Sequence, residues 1–282
     1  MKLTRITGIA AGLSLLVAGM QAQVSLPSVF TDHMVLQQKS EVPVWGWGSA
    51  SATIKVVGSW APLDTATTVV RSDGTWDTTL KTVGAGGPYT LSVLSDGTRE
   101  LKDVMLGEVW LCSGQSNMEW TPMHGIDNSE KEVAAANYPN IRFFHIPKRG
   151  AATPQNNCEA SWAPCTPDKM KSTSAIAYFF GRDLQKDLNV PVGLIVSAWG
   201  GTPAEVWVPE EQIMNNPRIR DVMPDKTYPW WPVEPGVLYN QMISPVVPYA
   251  LAGAIWYQGE SNRDHPDSYG ILLKTMVESW RK

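Results

Sequence analysis

Three short segments of this sequence combine a hydroxyl, paired glycines and carboxamides in a way that suits acyl transfer. Cys112-Ser113-Gly114-Gln115-Ser116-Asn117-Met118, Ala198-Trp199-Gly200-Gly201-Thr202 and Gln258-Gly259-Glu260-Ser261-Asn262 each follow an apolar run. A serine on a glycine turn can serve as a nucleophile. Backbone N–H groups on a second glycine turn and a side-chain amide on a third can hold the developing oxyanion, each donor contributing roughly a few kcal/mol in the transition state. Gly114 permits the sharp turn that would project Ser116, and Gly200 or Gly201 would let backbone approach the acyl oxygen closely. Spacing alone leaves a second reading open, three ordinary strand-to-loop turns.

The elements that would carry these tips follow from hydrophobic patterning. Residues 104–111, 192–197 and 251–257 are apolar and predict buried strands, whereas 129–136 and 269–280 predict helices. In 175–188, Ile176, Phe179, Phe180, Leu184 and Leu188 recur at helical spacing behind a Ser/Thr start signal. Such alternation over 103–282 predicts an α/β domain, a mostly parallel, flavodoxin-like sheet flanked by helices. Ligands bind beyond the carboxyl ends of strands in sheets of this kind, where the three segments would lie. Residues 24–102 differ: β-prone runs such as Thr53-Ile54-Lys55-Val56-Val57 alternate with Ser72-Asp73-Gly74 and Ser95-Asp96-Gly97 turns. They predict a small all-β, sandwich-like N-terminal domain without obvious chemistry.

Composition narrows the function classes. With 43% hydrophobic residues in 282, the chain can bury one large core or two modest ones. A net charge of -4 without a basic stripe argues against a nucleic-acid partner. Thirteen Trp supply rings for cores and for the apolar faces of sugars. Lys2 and Arg5 followed by the apolar run 6–18 and by Ala22 predict a cleavable export signal over 1–22, hence a periplasmic or extracellular product without a membrane span. Export permits a disulfide, and Cys158 with Cys165 is the pair near in sequence, bridged or not; Cys112, in an apolar strand pattern, reads as a buried thiol.

The segment Gly107-Glu108-Val109-Trp110-Leu111-Cys112-Ser113-Gly114-Gln115-Ser116-Asn117-Met118 resembles the nucleophile block of the sialate O-acetylesterase family within the SGNH-hydrolase superfamily. Gly200-Gly201-Thr202-Pro203-Ala204-Glu205-Val206-Trp207 is similar to its second block and Trp256-Tyr257-Gln258-Gly259-Glu260-Ser261-Asn262 to its third. Val29-Phe30-Thr31-Asp32-His33-Met34-Val35-Leu36-Gln37 resembles its N-terminal stretch. The resemblance implies an SGNH-type fold and cofactor-free hydrolysis of an acetyl ester on a sugar, sialic acid or an acetylated xylan. Ser116 would be the nucleophile, and the N–H groups of Ser116 and Gly201 would hold the oxyanion. Gln258 would supply the side-chain amide, with Asn262 the runner-up and Gln115, Asn117 and Glu260 in support.

In that family the base is a His three residues after an Asp. His33, His124, His145 and His265 are preceded at that distance by Phe30, Thr121, Arg142 and Asn262, so none fits. The expectation is that Asp-x-x-His lies beyond Lys282 and that this chain by itself is inactive or nearly so; His265, beside Asp264, is the weak local candidate. Two other readings compete: a non-catalytic carbohydrate-binding fragment using Trp199, Trp207, Trp230 and Trp231, and a metal-dependent deacetylase. Scattered histidines without ligand spacing argue against the latter. Residues between Pro209 and Tyr239, rich in Pro and Trp, are expected either to wall the pocket or to form a structural Ω-loop.

Overall fold

The computed structural model describes residues 24–223 and 227–281; the expected export signal lies outside them. Six strands fill the N-terminal part: β1 (Val35–Gln37), β2 (Glu41–Trp47), β3 (Thr53–Gly58), β4 (Thr65–Val69), β5 (Thr75–Lys81) and β6 (Gly86–Leu94). Five follow: β7 (Thr98–Gly114), β8 (Tyr138–His145), β9 (Trp162–Cys165), β10 (Val192–Ala198) and β11 (Gly253–Tyr257). The helices are α1 (Ser116–Glu119), α2 (Ser129–Ala135), α3 (Pro167–Met170), α4 (Ala175–Leu188), α5 (Glu210–Met214), α6 (Pro217–Arg220) and α7 (Pro266–Trp280).

Alternation decides the N-terminal strands. Val42 and Val44 of β2 and Ile54 and Val56 of β3 are buried while their neighbours are not, as expected for strands with one covered face. β2 and β5 form a two-stranded antiparallel sheet of their own, and β4-β3-β6 continue into the large sheet through β7. β10 is different: all seven of its residues are buried, the signature of a parallel strand covered on both faces. Around it the order is β11-β7-β10-β8, all parallel, with β9 antiparallel at the edge.

β7 is shared by both parts of the chain. Its first half pairs antiparallel with β6, and its second half pairs parallel with β10 and β11. The boundary expected at 102/103 therefore falls inside one continuous strand rather than in a linker. Asp103 lies where the β6 pairing shifts register, between Leu101 and Val104, and has a positive φ of 53°. Its carboxylate takes both arms of the Arg142 guanidinium, at 2.7 and 3.1 Å, and a bond from His33 Nδ1 at 2.6 Å. Arg142 comes from β8 and is almost fully buried, so this cluster ties β7, β8 and the segment before β1 together.

Two apolar clusters lie on the two faces of the sheet, Ile195 of β10 entering one and Leu194 and Val196 the other. Cys158 belongs to the first and Cys165 to the second; both, like Cys112, are free thiols. Their closeness in sequence is thus undone by the sheet between them. Ser174 begins α4 by accepting the Ala177 N–H, and Asn189, left-handed at φ 51°, ends it. Its buried stripe is Ala175, Ala177, Tyr178 and Gly181, whereas Ile176 and Leu188, expected inside, are exposed. Small residues win that face because β10 comes close: a Cβ on Gly181 would lie 2.5 Å from Leu194.

Arg142 beside it holds the Asp103 carboxyl below the usual carboxylate range, with help from His33. A depressed folded pKa means that the stabilisation is present above the unfolded value of about 3.9 and is lost as pH falls through the folded one. Asn tolerates the positive φ, so Asp103→Asn isolates the charge. Urea titration should show a loss of about 2 kcal/mol at pH 7 that shrinks toward zero in acid.

Candidate active site

The parallel register brings the three chemically interesting segments together. Gly114 of β7 pairs with Ala198 of β10 on one side and Tyr257 of β11 on the other, so three strands end in one row. The pairing continues past the strand ends, Gln115 N–H donating to Tyr257 O at 3.0 Å and Trp199 N–H to Gly114 O at 3.1 Å. Gly114 sits at φ 143°, and a Cβ there would lie 2.2 Å from Tyr257 O. No other residue type fits without displacing the β11 backbone.

Ser116 begins α1 immediately after this turn and is half-buried. The Gly200-Gly201 turn packs against it: a Cβ on Gly200 would lie 3.3 Å from Ser116 Cβ. Gly200 N–H donates to Glu119 Oε2 at 2.6 Å, while Lys148 Nζ holds Glu119 Oε1 at 2.5 Å. Glu119 thereby fastens the second turn to α1. Sequence reasoning missed it, although a carboxylate three residues after the serine and one helical turn long was the available signal.

Ser116, Gln115, Gly201, Glu260, Ser261 and His265 share one cavity of about 530 Å³ with Tyr228, Trp231 and Val233 on its outer wall. The stretch between Pro209 and Tyr239 thus does wall the site. Among the described residues, no group accepts a hydrogen bond from Ser116 N–H or Gly201 N–H, and none pairs with Ser116 Oγ. The Gln115 side chain adds a third open donor. Its Oε1 accepts the Gly259 and Ser261 N–H groups at 3.3 Å each. Backbone donors can point only at the oxygen of an amide, so Nε2 is the atom of this cavity-lining residue without a partner among the described residues.

Gln258 and Asn262, expected as the cavity amides, are engaged elsewhere. Gln258 Nε2 donates to Thr202 O at 3.2 Å and Asn262 Oδ1 at 2.7 Å, and its Oε1 accepts from Tyr269 at 2.8 Å. Asn262 accepts the Ala204 N–H at 2.9 Å and donates to Glu205 Oε2 at 2.8 Å. These two amides clamp the third segment onto the second. Ser261 adds a bond to Gly201 O at 3.0 Å. Asn117 is exposed beside Ser116, and Glu260 is an exposed wall of the cavity.

The histidines divide clearly. His33 binds Asp103, and His124 caps its own turn on Thr121. His145 is held below its usual pKa first by burial and then by Lys169. His265 alone reaches the cavity, and its ring is hydrogen-bonded neither to Ser116 nor to a carboxylate among the described residues. Among the described residues no group of three or more His, Cys, Asp or Glu could hold a metal ion, and no helix is long and apolar enough to cross a membrane.

A parallel sheet flanked by helices, ending in a serine turn, a double-glycine turn and a carboxamide turn, defines an SGNH-like α/β fold. Residues 106–282 match the model of the family described as carbohydrate esterase, sialic acid-specific acetylesterase, and the chain belongs to that family. It is 33% identical over 278 residues to a sialate O-acetylesterase of Pongo abelii and 32% identical to that of Homo sapiens, covering 90% of this chain and 52% of either relative. The chain therefore spans about half the length of these curated relatives. A crystal structure of a carbohydrate acetylesterase from Xanthomonas citri superimposes with a TM-score of 0.81 at 35% identity, over 92% of this chain and 57% of that one.

Glu205, under the second turn, is only 3% exposed, and burial raises its pKa despite the Asn262 bond. A raised folded pKa contributes stability below the unfolded value of about 4.3 that is lost as pH rises through the folded one. Glu205→Gln keeps the contact and removes the charge. Urea denaturation should find it more stable than wild type at pH 7 and equal at pH 4; equal stability at both would contradict the assignment.

Proposed function

We propose that this protein removes O-acetyl groups from carbohydrate through an acetyl-enzyme on Ser116. Ser116 Oγ attacks the acetyl carbonyl carbon and gives its proton to a base. The resulting oxyanion takes hydrogen bonds from the N–H groups of Ser116 and Gly201 and from Gln115 Nε2. Collapse breaks the ester bond, and the departing sugar oxygen takes the proton. Water, deprotonated by the same base, then attacks the acetyl group and releases acetate and the free serine.

The observation that carries this reading is three hydrogen-bond donors without partners at the edge of the cavity that holds an unpaired serine hydroxyl. Open N–H donors that converge on one cavity beside a serine hydroxyl can serve an oxyanion that forms there. In the family pattern the base is a His three residues after an Asp, and none of His33, His124, His145 and His265 stands in that position. His265 is the local alternative, and His265→Ala distinguishes the two. Residues 24–102 act as a brace that carries β7 into the sheet, and the export signal of 1–22 delivers the protein outside the cytoplasm.

The test is acetate release from 4-nitrophenyl acetate and from an acetylated sugar by a form of the protein that includes the family's Asp-x-x-His segment, since the present chain by itself is expected to be nearly inactive. Ser116→Ala should lower kcat/KM by roughly a thousandfold or more with unchanged circular dichroism. Equal rates in mutant and wild type would remove Ser116 from the mechanism.

A further inference from the structure

Two consecutive glycines leave the second turn of the site free to misplace its donor. The peptide between Gly200 and Gly201 carries the Gly201 N–H, which no described residue accepts, at the wall of the cavity. Without a Cβ on either side, rotating that peptide by half a turn meets little steric resistance. The rotation would replace the N–H with the Gly200 carbonyl oxygen. An oxyanion would then face a lone pair instead of a donor and lose its stabilisation. A donor carried by a Gly-Gly turn therefore has to be locked by its neighbours.

The peptides on either side are indeed locked. On the far side, Gly201 O accepts Ser261 Oγ at 3.0 Å and Thr202 O accepts Gln258 Nε2 at 3.2 Å. On the near side, Trp199 O accepts the Thr202 hydroxyl at 2.8 Å. Trp207, expected among the rings that could face a sugar, is instead fully buried and donates its indole N–H to that same hydroxyl at 3.0 Å. The other end of the near peptide is Gly200 N–H, and its partner is Glu119 Oε2 at 2.6 Å.

Glu119 closes α1, the four-residue helix that Ser116 opens, so one short element carries both the serine and the group that holds the donor turn. A Cβ on Gly200 would lie 3.1 Å from Glu119 Oε2 and 3.3 Å from Ser116 Cβ, so the turn rests on both. Glu119 is aimed in its turn by Lys148, on the loop after β8, whose Nζ meets Oε1 at 2.5 Å. The Lys148 side chain is 45% exposed and that of Glu119 27%. An ion pair this open to water contributes at most about 1 kcal/mol to stability. What it supplies is direction: with Oε1 taken by the ammonium, Oε2 faces Gly200 N–H.

We propose that Glu119, aimed by Lys148, is a positioning residue that keeps Gly201 N–H turned toward the oxyanion, and that its loss lets the Gly200–Gly201 peptide flip and switch that donor off. The role rests on the esterase reading of Ser116 and adds to it a residue that touches no substrate atom.

Steady-state hydrolysis of 4-nitrophenyl acetate, by the form of the protein that includes the Asp-x-x-His segment and with Ser116→Ala as control, tests it. Acylation and deacylation both pass through an oxyanion at Ser116. Glu119→Ala should therefore lower kcat about tenfold or more, up to the roughly thousandfold cost of a lost oxyanion donor, and leave KM within about twofold. Glu119→Gln keeps an oxygen for Gly200 N–H and should retain most of kcat. Lys148→Met should lower kcat about threefold, and adding it to Glu119→Ala should change nothing further, because Lys148 acts only through Glu119. Wild-type kcat in Glu119→Ala, a loss confined to KM, or equal losses in Glu119→Gln and Glu119→Ala overturns the proposal. If circular dichroism shows Glu119→Ala unfolded, Lys148→Met decides, and its retaining full kcat overturns the proposal. Rates indifferent to Ser116→Ala sink the esterase reading and this role with it, whereas Ser116-dependent rates indifferent to Glu119→Ala sink this role alone.

Discussion

Everything at the candidate site depends on one row of the sheet, in which Ala198, Gly114 and Tyr257 are hydrogen-bonded neighbours on three parallel strands. Parallel strands in register end together, so the loops that leave them have no choice but to meet. Gly114 makes the meeting close, its backbone lying against Tyr257 O where no side chain has room. A one-residue slip of either neighbour would separate the serine from one of the donor loops, because pairing fixes every position along the strand.

Around that row the loops brace one another rather than relying on the sheet alone. Glu119 reaches from the serine helix to Gly200 N–H, Ser261 reaches from the third loop to Gly201 O, and Gln115 reaches back to the third loop's N–H groups. Half-buried Gln258 and buried Asn262 and Glu205 form the layer beneath. The polar side chains at the strand ends therefore have divided labour. Most hold the loops still, and a few donors remain open toward the cavity, the preorganisation that acyl transfer requires.

Much of the fold was legible because burial imposes periodicity. The largely apolar, fully buried β10 and the Ser-capped, Asn-terminated α4 follow directly from their residues. The serine and glycine turns were legible for the same reason, since only glycine serves where backbones crowd. What sequence could not supply was side-chain direction. Gln258 and Asn262 have the chemistry of a cavity amide, yet Thr202, Glu205 and Tyr269 capture them. Gln115, expected only in a supporting role, has its oxygen oriented by two long-range backbone donors. The continuity of β7 through Asp103, where a domain boundary was expected, was invisible for a related reason: Asp103 pairs with Arg142, distant in sequence, and one strand serves partners on both sides of the expected boundary.

The central claim is that an oxyanion formed at Ser116 is held by backbone and by the neighbouring glutamine. A crystal structure of the protein after reaction with an organophosphonate that mimics the acetyl transition state measures this directly. The expected result is phosphorus bonded to Ser116 Oγ, with one phosphonyl oxygen within about 3 Å of Ser116 N, Gly201 N and Gln115 Nε2. A phosphonyl oxygen turned to solvent or held by Gln258, with Gln115 directed away, would contradict it.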